Sequence, residues 1–252
     1  MKPRGYDVLL LVAGFLVCWQ ILYWLVGADV VSSPSTTIAR AVALLQTRNF
    51  WNDATSTGVA FAYACVIGVA GGMILGLLLG LNRFVGDVAD PILGTVYSIP
   101  KITLYPIILL IFGLSPAAKV AFGVIHGIFP VAIFTMNAVR NVVPVHRRTA
   151  KALHLSPFAT IATVLAPAAM PEILSGVRIG IAVTLLGILI AELFASSSGI
   201  GFALIRATDL HNVVDIFALT LLLFLFAVAI NTLLHISERK ARHGVDLNGR
   251  QP

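Results

Sequence analysis

The chain has 252 residues, 58% hydrophobic and only 11% charged, with a formal net charge of +6 and a mean hydropathy of +0.96. A water-soluble domain carries charge on about a quarter of its residues, so this composition excludes one and predicts an integral membrane protein built as a single domain, 1–252. The basic balance marks no nucleic-acid surface, because Lys and Arg gather at the ends of apolar runs, where they set topology.

The first apolar run, 8–26, is longer than the roughly 7–15 residues of a signal core, and no small-x-small cleavage site follows it closely. It reads as an uncleaved membrane helix. Cys18 in this run and Cys65 in the next form neither a disulfide framework nor a metal-ligand spacing, and read as small buried hydrophobes. Between those runs lies "SSPSTTIARAVALLQTRNFW". Ile38, Ala41, Val42 and Leu45 share one helical face there, with Arg40, Thr47 and Arg48 off it. That pattern predicts a short amphipathic helix, lying along the outer membrane surface or against the bundle.

The second run, 59–81, carries Gly68, Gly72, Gly76 and Gly80, with Ala60 and Ala64 in the same register. A spacing of four puts all of them on one face and predicts close approach of another helix, from this chain or from another. The third run, 91–113, holds Pro91, Pro100 and Pro106 and is broken. Pro100 lacks the N–H that a helix interior requires, and broken membrane helices persist only where protein or a water-filled cavity satisfies the freed backbone. This run therefore reads as cavity-lining.

Intramembrane ionisable groups are costly and tend to face a protein interior or an aqueous path. Lys101 follows Pro100 directly, and it either lines a solute path or satisfies carbonyls of the broken helix. The fourth run, 118–139, holds His126 and Asn137, candidates for the same path, with the imidazole alternatively a satisfied core group. The fifth, 171–194, ends near Glu192, which either faces the path or pairs with a neighbouring helix. The sixth run is 214–236.

Between the fourth and fifth runs, 140–170 forms a basic, helix-forming excursion with a Pro-x-x-x-Pro pair at Pro167 and Pro171. Orientation follows from charge. With the amino terminus inside, the inner side holds Lys2, Arg4, Arg83, Arg140, Arg147, Arg148, Lys151, Arg239, Lys240, Arg242 and Arg250, against Arg40, Arg48, Lys119 and Arg206 outside. Both termini are expected in the cytoplasm. The predicted class is all-α, a polytopic bundle of six membrane helices.

Enzyme signatures are missing. There is no phosphate loop and no H-E-x-x-H zinc helix, and no metal site is expected. "SSSGIG" at Ser196 to Gly201 places serines beside glycines, with His126 and His211 as candidate bases, but nothing in the spacing brings them together. An intramembrane hydrolase would depend on Ser198 or His126. A secondary transporter or channel using Lys101 and Glu192 without ATP is the main alternative reading, and it would show a repeated half. No convincing internal repeat is present.

The excursion from Arg147 to Gly176, with its Ala-rich short helix, small-residue turn and "VLAPAAMPEILSG", resembles the cytoplasmic loop of ABC importer inner-membrane permeases. The family's loop reads roughly E-A-A-x-x-x-G, followed by the proline pair. "SSPSTTI" is similar to the family's entry motif, "DPILGTVYSIPKITLYPIILLIFGLSPAAKV" to its third-span signature, and "AELFASSSGIG" to its fifth-span ending. The Ile99 to Pro106 string is similar to the branch importing nitrate, sulfonates, taurine and related small solutes.

The resemblance implies an inner-membrane permease working with a second permease copy or paralogue, two ABC ATPase subunits and an external solute-binding protein. No cofactor is expected on this chain, with ATP and Mg on the partner ATPase. It further implies that Arg148, Thr149, Ala150, Lys151, Ala152, Leu153, His154 and Ser156 form a coupling helix that docks on the ATPase. Arg148 stands where the family has Glu, and His154 where it has Gly. Glycine there would adopt a left-handed turn that histidine reaches only at a cost.

Overall fold

A computed structural model describes residues 5–141 and 166–248, together with 154, 156, 159, 163 and 164. Among the described residues every regular element is helical. In chain order these are α1 (Gly5–Val26), α2 (Pro34–Leu45), α3 (Arg48–Gly80), α4 (Arg83–Ser98), a 3-10 turn (Lys101–Leu104), α5 (Tyr105–Phe112), α6 (Pro116–Arg140), α7 (Ala166–Phe194), α8 (Ile200–Asp209) and α9 (Val213–Asn248).

The helix ends follow local chemistry. Gly27 closes α1 with φ 93, and Gly113 closes α5 with φ 65, its N–H donating to Leu109 O at 2.8 Å. Left-handed backbone of this kind favours glycine. Ser33 caps α2 by accepting from Thr36 N at 3.2 Å, with Pro34 in the first turn. Asn82 caps α4 by accepting from Phe84 N at 3.0 Å and Val85 N at 3.4 Å. Each cap satisfies amides that the first helical turn leaves without partners.

Among the described residues, four helices are long and apolar enough to cross a membrane: Arg48–Gly80, Pro116–Arg140, Pro167–Phe194 and Val213–Ile236. The pair Arg83–Ser98 and Lys101–Phe112, bent by 81°, makes a fifth if taken as one broken span, and Leu10–Val26 is a shorter apolar helix on the first predicted run. The predicted break at Pro100 is therefore a sharp bend, and α4 begins earlier than the predicted start at residue 91. The helix after the excursion begins at Ala166, so Pro167 and Pro171 lie in its first turns.

The chain divides into two compact units. The first comprises Met1–Thr57 and Ser197–Phe226. Its core is Phe50, Ile200, Ala207 and Leu219. Trp19 stacks on Phe217 with ring centroids 5.9 Å apart, and its Nε1 donates to Ser32 O at 2.9 Å. Arg40 on α2 holds both carboxylate oxygens of Asp215 on α9. That hydrogen bond raises the Arg40 pKa above its ordinary value, against the opposing effect of burial.

The face of α2 that packs inward differs from the predicted apolar stripe. Thr37 and Ala41 are buried, whereas Ile38, Val42 and Leu45 are exposed. Thr37 Oγ1 donates to Ser32 Oγ at 3.0 Å, a local hydroxyl pair that lets a polar residue occupy the inner face.

The second unit comprises Gly58–Ser196 and Ala227–Pro252, and α6 is its central helix, packed against α7, α4 and α5. The glycine face of α3 lies on α6. A methyl added at Gly72 would sit 2.7 Å from Ile128 O, at Gly76 2.5 Å from Ala132 O, and at Gly80 2.8 Å from Met136 O. The partner oxygens advance by four residues as the glycines do, so the two helices run together over about two turns. Ala60 and Ala64 continue the buried face against Ile188.

On an adjacent face of α6, Gly127 meets Thr184 and Gly180 of α7, with the Thr184 hydroxyl where a Gly127 side chain would be. Small residues on both helices bring the backbones together, which is how helices associate where no hydrophobic drive separates protein from lipid.

Candidate translocation and coupling site

The site is built at the bend between α4 and α5. Val96 O accepts from Ile99 N at 3.3 Å as α4 ends, and the backbone then turns extended at Ile99 and Pro100. The freed carbonyls find partners locally. Lys101 Nζ donates to Tyr97 O at 2.8 Å, and Thr103 Oγ1 donates to Pro100 O at 2.7 Å. The Lys101 ammonium also lies 4.3 Å from the Tyr97 ring centroid and 5.9 Å from that of Phe129 on α6. Lys101 is half-buried at the centre of a broken, apolar span. One N–H satisfies the broken helix, as one of the two sequence readings has it, and the cation lies within cation–π range of two aromatic rings.

Below the bend, α5 is fixed to α7. Tyr105 is 3% exposed, and its hydroxyl donates to Ala191 O at 2.9 Å and Ala195 O at 3.1 Å. Phe122 packs on Tyr105 at 4.8 Å between centroids, and His126 meets Phe122 edge-on at 4.5 Å. His126 Nδ1 donates to Phe122 O at 2.9 Å, which satisfies one nitrogen of the buried imidazole. Gly187 leaves room for the ring, since a methyl there would lie 2.7 Å from Nδ1. Asn137 is half-buried near the other end of α6.

Glu192 is fully enclosed, and its Oε1 receives Lys119 Nζ at 3.0 Å. Lys119 was expected among the outer-side charges; it is instead 3% exposed and bridges α6 to α7. The reason is electrostatic. Each charge would be costly alone in an apolar surround, and the pair offsets much of that cost. Sequence reasoning left Glu192 either facing the path or pairing with a neighbouring helix, and did not find its partner.

The serine stretch is a docking joint. Ser198 Oγ is 2.9 Å from Ser56 Oγ, Gly199 N donates to Asp53 Oδ1 at 2.9 Å, and Ile200 N to Thr57 Oγ1 at 2.9 Å. Asp53 and Thr57 thus satisfy the start of α8, the place where a helix favours negative charge. The same unit holds a cleft of about 210 Å³ lined by Arg40, Asp53, Arg206, Asn212 and Asp215. Among the described residues no group of three or more His, Cys, Asp or Glu side chains is placed to hold a metal.

Of the expected coupling helix, Arg148, Thr149, Ala150, Lys151, Ala152 and Leu153 lie outside the described residues. His154 has φ 48, in the left-handed region where the family's glycine would sit more easily. Ser156 Oγ accepts from Ala159 N at 3.2 Å.

With a broken span flanked by glycine-packed helices, the chain matches the family "Binding-protein-dependent transport system inner membrane component" over residues 68–243. The chain belongs to that family of ABC transporter permeases. This permease is 30% identical over 214 residues to the nitrate import permease protein NrtB of Synechocystis, covering 80% of this chain and 76% of that one. It is 31% identical over 221 residues to the bicarbonate transport system permease protein CmpB of Synechococcus elongatus, covering 81% and 78%. Its fold is similar to that in a crystal structure of an amino acid ABC transporter with histidines, at a TM-score of 0.61 and 20% identity, covering 81% of this chain and 97% of that one.

Proposed function

We propose that this permease moves a small anionic or zwitterionic solute, of the nitrate, sulfonate or taurine class, across the inner membrane by alternating access. The whole chain, 1–252, acts as one permease domain with six membrane passages and both termini in the cytoplasm. Two such bundles, identical or paralogous, pair with two ATPase subunits and receive solute from an external binding protein. ATP and Mg belong to the ATPase, and this chain supplies no catalytic residue.

The observation that carries the substrate reading is the half-buried Lys101 ammonium, held at the bend between Tyr97 and Phe129. An ammonium in a low-dielectric surround attracts an anion far more strongly than it would in water. One of its protons goes to Tyr97 O, leaving donors for a solute. Pro100 supplies the break, and Asn137 and His126 lie on α6, the helix that also carries Phe129. The names of the nitrate and bicarbonate relatives agree with an anion. Residues Thr149 to Ser156 form the contact through which closure of the ATPases rocks the bundle.

The test is uptake into vesicles holding the permease, its ATPase and its binding protein, with nitrate, taurine and bicarbonate as probes. Uptake should require ATP and be competed by anions. Lys101→Met should lower it about tenfold or more, in line with losing a charge-assisted hydrogen bond, while the assembly stays intact. Unchanged uptake in that variant would leave Lys101 as a cap on the broken helix alone.

A further inference from the structure

We propose that Arg140 is a positioning residue: a clamp between the end of α6 and the α4 arm of the broken span, which passes movement of the 142–156 segment to the bend at Lys101. This rests on the coupling role given to that segment above.

Arg140 is the last residue of α6, and the chain runs from it through Asn141 into that segment. Its Nη2 lies 3.3 Å from Asp87 Oδ1 and 3.8 Å from Asp90 Oδ2, both on α4. The side chain is 19% exposed although its partners are 54% and 41% exposed, so the cation is held inside the contact and the carboxylates close over it. Room for its stem comes from Gly86. A methyl at that position would sit 2.7 Å from Arg140 Cδ and 3.2 Å from Leu79 O. Residues 86, 87 and 90 fall on one side of α4, so one helical face supplies both the slot and the charges.

Nη1 is buried without a hydrogen-bond partner. A residue serving only as a topology charge would extend into water, where guanidinium is fully hydrated. Arg140 gives up part of that hydration to stay against α4, as a fixed joint requires. From Asp90 the helix continues to Ser98, one residue before the bend's first extended residue. α4 runs on through Pro91 to Ser98, so the ion pair carries a shift at the end of α6 into α4 and along it to the bend that holds Lys101.

The experiment reads accessibility at the bend and needs no knowledge of the solute. Thr103 is exposed, and Thr103→Cys in the assembled permease–ATPase complex is labelled with a thiol reagent with and without ATP and vanadate. With Arg140 intact, nucleotide should change the labelling rate. In Arg140→Gln that response should fall about fivefold or more, the scale of a lost coupling between sites, while ATPase binding persists. Arg140→Lys should restore part of it. Asp87→Asn with Asp90→Asn should reproduce the loss, and combining it with Arg140→Gln should add little, because the three act as one unit. If Arg140→Gln does not assemble, the aspartate pair decides, since both carboxylates are exposed and their removal spares the core.

A wild-type nucleotide response in the aspartate double variant, or in an assembled Arg140→Gln complex, overturns the clamp alone. If the chain with Arg140 intact neither binds an ATPase nor responds to nucleotide, the functional reading falls and the clamp with it.

Discussion

At the scale of single residues, the side chains that matter most are charges with specific partners across helices. Lys119 and Glu192 are 4% and 0% exposed as side chains and 3.0 Å apart. Removing one takes this ion-pair partner from the other inside the protein, and breaking a buried pair typically costs about 3–5 kcal/mol, whereas replacing both with apolar residues of similar volume is often neutral or stabilising. Lys119→Met should therefore lower the thermal unfolding temperature of the purified permease sharply. Lys119→Met with Glu192→Met should recover most of the loss. Equal melting of the single and double variants would mean that the pair is not the source of the stability. Tyr105 belongs to the same cluster, its hydroxyl tying α5 to the end of α7.

At the scale of elements, the packing of α3 on α6 and of α6 on α7 is decided by what is absent from the side chains. The contact is backbone against backbone, so it tolerates no added atoms. Gly76 and Gly94 make a controlled comparison, because both lie inside helices but a methyl at Gly94 meets nothing within 4 Å. Helix propensity favours Ala over Gly by about 1 kcal/mol. Gly94→Ala should thus leave the permease unchanged or slightly more stable. Gly76→Ala should destabilise it by about 1–3 kcal/mol, the usual cost of overpacking, because Ala132 O is backbone and cannot rotate aside. Thermal melts of the two variants in the same detergent would settle this. A stabilised Gly76→Ala would show that α3 and α6 separate freely.

At the scale of the whole molecule, topology rests on where the charges end. Arg83, Arg140 and the basic residues beyond His235 fall on the inner side of the predicted arrangement, whereas Arg40, Arg48 and Arg206 fall on the outer side. Burial of Lys119 against Glu192 takes it out of the outer count and sharpens the asymmetry. Single-cysteine variants Arg48→Cys and Arg242→Cys, made in a background lacking Cys18 and Cys65, should react with an impermeant thiol reagent from opposite sides of sealed vesicles. Reaction of both from one side would overturn the cytoplasmic termini and the passage count together.

The sequence by itself determined what depends on neighbours along the chain. Apolar run length marked the four long apolar helices among the described residues, because the bilayer sets that length. The missing N–H of Pro100 located the bend, and the four-residue spacing from Gly68 to Gly80 marked the face of close approach. That Lys101 would bond a carbonyl of the broken helix was one of two readings open to a cation beside a proline in an apolar run. Tyr105 left a fainter signal, a hydroxyl in an apolar stretch that needs an acceptor when buried. Tertiary structure alone decided which charges meet. Lys119 and Glu192 are 73 residues apart, and Arg40 and Asp215 are 175 apart. Arg140 reads in the sequence only as one more basic residue after an apolar run. Electrostatic pairing acts through space and leaves no period in the sequence, so a buried pair, an enclosed clamp and an exposed topology charge look the same until the helices are packed.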